Sequence, residues 1–182
     1  MEKFKQSKES QVAITELMLP SHSNFSGKIH GGYILNLMDQ IAFACASKHS
    51  RSYCVTASVN KVDFLNPIEV GELVTLKASI NYTGRTSMVV GVRVESENIQ
   101  TGETKHCNSS YFTMVAKSSD GKKNIPVPGL IIDTKQGIRR FARSIQRKNE
   151  TQSRSSKYDS ANFKYQEHLE SLKTENIKIE FT

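Results

Sequence analysis

The chain has 182 residues, 37% of them hydrophobic and 24% charged, with a formal net charge of +7. That describes one folded domain with a real core and excludes both a disordered chain and two full domains. No run approaches the roughly 20 apolar residues of a membrane span, and Met1 to Ser10 has no apolar signal segment, so the cytoplasm is the expected compartment.

Gln11 to Leu19 reads as a first strand, ended by Pro20 and the polar loop Ser21 to Gly27. Gly31 and Gly32 then open an apolar helical run, Tyr33 to Ala46, whose only polar members are Asn36, Asp39 and Gln40. Such a helix is expected to be enclosed nearly all round, with Asp39 as a carboxylate withdrawn from water. Four strand-like segments follow. Ser52 to Phe64 places Cys54, Thr56, Ser58 and Asn60 on one face and Val55, Ala57, Val59 and Lys61 on the other; Val70 to Tyr82, Thr86 to Glu97 and Lys105 to Lys117 alternate in the same way. Turn chemistry falls between them at Asn66-Pro67, Gly71, Gly84-Arg85, Thr101-Gly102 and Asp120-Gly121.

One long apolar helix beside a long antiparallel sheet predicts an α+β fold in which the sheet wraps the helix. A single sheet covers only part of such a helix, so a second copy of the chain is expected to cover more. Beyond Pro126 and Pro128 the composition changes, which divides the chain into a domain over residues 1–133 and a basic extension over 134–182. In the extension Ile138, Phe141, Ala142 and Ile145 fall at helical spacing opposite Arg139, Arg140 and Arg143, while Tyr165, Leu169 and Leu172 outline a weaker helix. Lys135 to Lys157 holds eight basic residues against Glu150 alone, so the entire net charge lies there and the remaining 17 basic and 17 acidic residues cancel. No internal repeat is visible.

The glycine pair sets bare backbone amides in a first turn, where they lack intrahelical partners and the helix dipole is positive; an anion or a polarised carbonyl fits there. Arg85, Thr86 and Ser87 offer a charge and two hydroxyls at a tight turn, which suits a phosphate. His30, just before the helix, reads as a cap or packing residue, and His22 and His49 as surface residues. Cys45, Cys54 and Cys107 form no Cys-x-x-Cys pair and read as small hydrophobes, so neither a disulfide nor a bound metal is expected. Gly-x-Ser-x-Gly, Walker A, Gly-x-Gly-x-x-Gly and His-Glu-x-x-His patterns are all absent, which removes support for serine hydrolases, P-loop enzymes, dinucleotide enzymes of that type and zincins.

Four segments in order resemble the hotdog-fold acyl-CoA thioesterases of the YciA and brain acyl-CoA hydrolase group. They are Leu17 to Gly32, Leu37-Met38-Asp39, Val62 to Ile68 and Gly84 to Met88, and the resemblance runs over about Gln11 to Ile132. It implies a hydrolase of fatty or short acyl-CoA that gives a carboxylic acid and coenzyme A, a cytoplasmic role in fatty acid metabolism, and a homo-oligomer of hotdog dimers, commonly a homohexamer built as a trimer of dimers. It carries the catalytic acid to Asp39, the loop amide to Asn24 and the oxyanion amide to Gly31 or Gly32. It places Arg85, Thr86 and Ser87 along coenzyme A, where Asn60 is also expected; coenzyme A is itself part of the substrate, so no cofactor is expected, and the basic face that carries Arg140 either caps the nucleotide end or is a solvated helix face. Nucleic acid and membrane are not expected partners, since the basic segment lacks aromatic interleaving or a helix-turn-helix pattern.

By periodicity alone Asn36, Asp39 and Gln40 fit the solvent face of an ordinary helix; the glycine pair and the other motifs turn the reading to catalysis. Thioester hydrolysis needs a base or nucleophile and a donor for the oxyanion, while the thiolate leaves well. Asp39 serves either by deprotonating water or by attacking the carbonyl to form an anhydride. Asn24 holds the water or the carbonyl, or else only shapes its loop as an Asx turn. Gly31 and Asp39 are eight residues apart on one helix, roughly 12 Å along its axis, so one carbonyl is expected to meet the amide of one subunit and the Asp39 of its partner. The competing readings are a non-enzymatic acyl-CoA sensor and a hotdog hydratase, and Asn66 to Gly71 lacks the histidine of the latter.

Overall fold

The computed structural model describes residues 3–157, 164–168 and 177–178. In chain order these form β1 (Phe4–Gln6), α1 (Ser7–Ser10), β2 (Val12–Leu17), α2 (Gly31–Ser50), β3 (Tyr53–Val59), β4 (Leu73–Thr83), β5 (Ser87–Glu97), β6 (Thr104–Lys117), β7 (Gly129–Ile131) and α3 (Lys135–Lys157). Five strands pair antiparallel in the order β2-β4-β5-β6-β3, and β1 pairs in parallel with β7 as a separate ribbon. The chain therefore leaves one sheet edge at β2, crosses the sheet as α2, and returns at the opposite edge as β3.

The expected alternation decides which face of the sheet meets the helix. Val74, Leu76, Ala78 and Ile80 of β4, Met88, Val90, Val92 and Val94 of β5, and Phe112, Met114 and Ala116 of β6 are buried. Against them α2 buries Ile34, Leu37, Met38, Ile41, Ala42, Cys45, Ala46 and His49, the spacing of one helical face. Its opposite face is open within the chain: Asn36, Asp39, Gln40 and Phe43 are exposed. The expectation of a helix enclosed all round with a water-poor Asp39 does not hold for the single chain, because one sheet reaches only one side of a cylinder.

β3 ends at Val59, short of the expected Phe64. Thr56 opposes Met114 but Ser58 opposes Thr113, so Ala57 is an extra residue in a bulge. Cys54 and Thr56 thus keep the helix-facing side, whereas Ser58 turns to the outer side and Val59 takes its place. Asn60 falls just beyond the strand, where its N–H donates to Tyr111 O (2.9 Å). The face shared by Cys54, Thr56, Ser58 and Asn60 in the sequence pattern is therefore broken by one inserted residue.

α3 is far longer than the expected Gly137 to Ile145. Residues up to Ser144 belong to one compact unit and those from Ile145 to another. In the first unit Phe141 packs on Tyr82 of β4, ring centres 5.0 Å apart. Tyr165–His168 forms a 3-10 turn; Leu169 and Leu172 lie outside the described residues. No helix among the described residues is long and apolar enough to cross a membrane.

Candidate active site

The segment before α2 is folded on its own backbone. Asn24 Oδ1 accepts from Ser26 N (2.9 Å), Ser26 Oγ (2.7 Å) and Lys28 N (3.3 Å), and Asn24 N donates to Lys28 O (2.7 Å). Its side-chain oxygen therefore builds an Asx turn. The loop is fastened to its surroundings by His30 N to His22 O (2.8 Å) and Ile29 N to Ile68 O (2.9 Å). The His22 ring stacks on Tyr33 at 3.9 Å, and the Tyr33 hydroxyl donates to Glu16; that hydrogen bond first, then burial and the Glu16 charge, holds the phenol above its usual range. His22 is accordingly half-buried rather than a surface residue.

His30 is the helix cap. Its Nδ1 accepts from Gly32 N (3.1 Å), and its carbonyl accepts from Tyr33 N (3.0 Å) and Ile34 N (3.4 Å). Among the described residues the Gly31 N–H alone of these first-turn amides has no acceptor, so the bare-amide expectation narrows from two glycines to one. Gly31 is also in contact with a neighbour: a Cβ there would lie 3.1 Å from Cζ of Phe64.

Eight residues along the exposed face of α2, Asp39 Oδ1 accepts from Thr56 Oγ1 at 2.6 Å, and Thr56 Oγ1 lies 3.4 Å from Met114 Sδ. The pair opens on a cavity of about 540 Å³ lined by Asp39, Gln40, Phe43, Tyr53, Cys54, Val55 and Thr56. Thr56 is the site residue that sequence reasoning missed. The only available signal was its place beside Cys54 on the helix-facing side of β3, and nothing local links it to a carboxylate 17 positions away. No cluster of three metal-ligating side chains occurs among the described residues. Cys45, Cys54 and Cys107 are free and buried, and burial pushes the Cys45 thiol up to about 12, despite the opposing pull of Lys48.

Other expected binding residues fall in separate places. Arg85 is exposed in the β4–β5 turn, where Gly84 N donates to Ser87 O (2.7 Å), Ala116 N to Thr86 O and Val127 N to Arg85 O, both 3.0 Å. Ser87 opposes Val115, which opposes Val55, so this turn lies at the end of the sheet that carries Thr56. Arg140 lines a different cavity of about 280 Å³ with Lys8, Asn81 and Thr134. The Gly31 end is remote from the Thr56 end. Leu65 N bonds Cys107 O whereas Thr56 opposes Met114, seven residues along β6, or roughly 23 Å at the rise of a strand. One chain does not bring Asp39 and the Gly31 amide together.

His49 corrects another expectation. It is fully buried in the last turn of α2, with Nδ1 2.7 Å from Ser10 Oγ and Nε2 3.2 Å from Pro128 O, while Lys5 Nζ donates to its carbonyl (2.9 Å). It fastens the N-terminal segment and the stretch before β7 to the helix.

Comparison with known proteins places this geometry. The Thioesterase superfamily model matches residues 26–103. The Helicobacter pylori protein VdlD is 42% identical over 139 residues, 76% of this chain and 79% of its own. The crystal structure of an apo-hexameric acyl-CoA thioesterase shares 38% identity over 84% of this chain and 97% of that one, with a TM-score of 0.81. An acyl-CoA hydrolase from Staphylococcus aureus, solved with butyryl coenzyme A, coenzyme A and coenzyme A disulfide, is 27% identical over 94% of this chain and 99% of its own, with a TM-score of 0.78. Alanine variants of that enzyme replace an asparagine, an aspartate and a threonine separated by 15 and 17 residues. With the helix wrapped by its sheet and the histidine-capped first turn of glycines on the same chain, this protein belongs to the thioesterase superfamily, as a hotdog-fold acyl-CoA thioesterase.

Proposed function

We propose that the protein hydrolyses the thioester of acyl-CoA to a free carboxylic acid and coenzyme A, with Asp39 as general base or nucleophile and the Gly31 amide as oxyanion donor. The observation that carries this reading is the Asp39–Thr56 hydrogen bond at the mouth of a cavity. Asn24, Asp39 and Thr56 are separated by 15 and 17 residues, the intervals between the residues replaced in the Staphylococcus aureus hydrolase. By donating to Oδ1, Thr56 fixes the carboxylate and leaves Oδ2 for the reacting group. In the water route Oδ2 takes a proton from water as its oxygen bonds to the carbonyl carbon. The C–S bond then breaks, and the thiolate recovers the proton as coenzyme A departs. The developing oxyanion needs a fixed donor; since Gly32 N–H is directed to His30, Gly31 is assigned that part, from the partner subunit. Asn24 positions the carbonyl or the water through its amide nitrogen.

Arg85, Thr86 and Ser87 take the phosphates of coenzyme A, Asn60 lies along it, and Arg140 caps its nucleotide end. The reaction needs no further cofactor, and the enzyme acts in the cytoplasm as a homo-oligomer of dimers, a trimer of dimers by analogy with the hexameric relative. Exposed Phe43, Tyr53 and Val59, beside an edge strand with unpaired backbone groups, support a partner on that side.

Thiol release from acyl-CoAs of graded length tests the proposal. Asp39→Asn is expected to lower kcat by about 10²- to 10⁴-fold, the range of a general base, with Thr56→Ala intermediate. Unchanged release by Asp39→Asn refutes the role of Asp39, and no release by wild type from any substrate favours a sensor.

A further inference from the structure

Phe64 has a place that the hydrolytic machinery does not account for. Its ring rests directly on Gly31, at 3.1, 3.4 and 3.6 Å from the position a Cβ would take, so that any larger residue there presses on the ring. The side chain is nevertheless 52% exposed; one side of the ring contacts the start of α2 and the remainder is open. It is held there by the backbone. The next two residues are anchored to β6, Leu65 N to Cys107 O and Asn66 Nδ2 to His106 O, both at 2.9 Å. A large apolar surface is thus fixed beside the one first-turn amide that has no acceptor among the described residues.

We propose that Phe64 is a substrate-contact residue whose ring forms the wall against which the first carbons of the acyl group lie, and that it sets the tolerance for branching next to the carbonyl. The inference rests on the acyl-CoA hydrolase reading. A carbonyl oxygen accepting from Gly31 N–H brings the carbonyl carbon within about 4 Å of that nitrogen, and an acyl substituent at that point meets the ring. A straight chain lies flat on an aromatic face. A methyl branch at the adjacent carbon stands up from it, and one such group in a shaped pocket is worth about 10- to 200-fold in kcat/KM.

The test compares isobutyryl-CoA with butyryl-CoA in wild type, Phe64→Leu and Phe64→Ala. The branched-to-straight ratio of kcat/KM is expected to rise about tenfold or more in Phe64→Ala and less in Phe64→Leu, which keeps most of the bulk should the alanine variant fail to fold. Calorimetric affinities for the inert thioethers 2-oxopentyl-CoA and 3-methyl-2-oxobutyl-CoA give the same ratio without turnover. The hydrolase reading stands or falls on the graded-length panel, so if the wild type hydrolyses neither four-carbon thioester, the thioether ratio still decides the role of Phe64. An unchanged ratio in both variants, or an equal loss for both acyl shapes such as a contact with the pantetheine or with another protomer would produce, overturns the assignment.

Discussion

Gly31 is constrained twice, by the ring above it and by the amide it offers, and the two constraints separate by mutation. It stands at the first position of α2, where proline is well tolerated because that N–H has no intrahelical partner. His30 before it already has φ −65° and ψ 126°, the conformation a following proline requires. Gly31→Pro therefore deletes the donor while respecting the backbone, whereas Gly31→Ala keeps the donor and adds only the Cβ that presses on Phe64. The expected result is a loss of about 10²- to 10³-fold in kcat for the proline variant, the effect of removing an oxyanion donor, and a smaller loss for alanine that Phe64→Leu partly relieves. Equal losses in steady-state assays would mean that the amide plays no part.

At the scale of elements, the last turn of α2 is a latch, and its chemistry predicts how the fold responds to acid. Burial pushes the His49 imidazole below its ordinary 6.5; the Pro128 carbonyl pulls it back up, Lys5 lowers it further and Glu9 raises it. The unfolded chain thus binds a proton at that position more readily than the folded one. The stabilisation is whole above pH 6.5 and is lost as pH falls below it. Glu72 gives a second, lower step. Burial alone would raise its carboxyl, but Lys105, Ser96 and the Glu69 amide outweigh it and hold it below 4.5, so its contribution is present above that pH and lost on further acidification. Melting temperature is expected to decline first in the interval just below pH 6.5. His49→Gln, less stable at pH 7.5 by about 1–3 kcal/mol for the disturbed buried hydrogen bonds, should be flat across that interval. A variant that declines with the wild-type slope would contradict the latch.

For the whole molecule, the decisive geometry is the separation of the two halves of the site. The Gly31 amide and Asp39 lie on one helix, too far apart for one carbonyl, so the proposal requires two chains. Chains carrying Asp39→Asn mixed in equal amounts with chains carrying Gly31→Pro, denatured and reassembled together, are expected to recover about a quarter of wild-type activity. Half of the randomly formed dimers are mixed, and each of these holds one intact site. Activity no higher than that of either variant alone, with mixed oligomers confirmed by mass, would place both halves in a single chain.

The alternation of β4, β5 and β6, the apolar stripe of α2 and the turn residues between them were legible in the sequence because each is a local pattern with a fixed period. Asp39, Asn24 and the glycine pair stand out in the sequence because their residue types and spacing match a family motif. What the sequence could not supply depends on pairings far apart along the chain. Phe4–Gln6 pairs with Gly129–Ile131, and three residues carry no periodicity. His49 is drawn inward by Ser10 and Pro128, which no local rule connects to it. The bulge at Ala57 reverses the faces beyond Thr56 because hydrogen-bond register is settled between strands, not within one. Thr56 and Phe64 acquire their roles only when folding sets them against Asp39 and Gly31, since a hydrogen bond or a ring contact is a property of two positions in space.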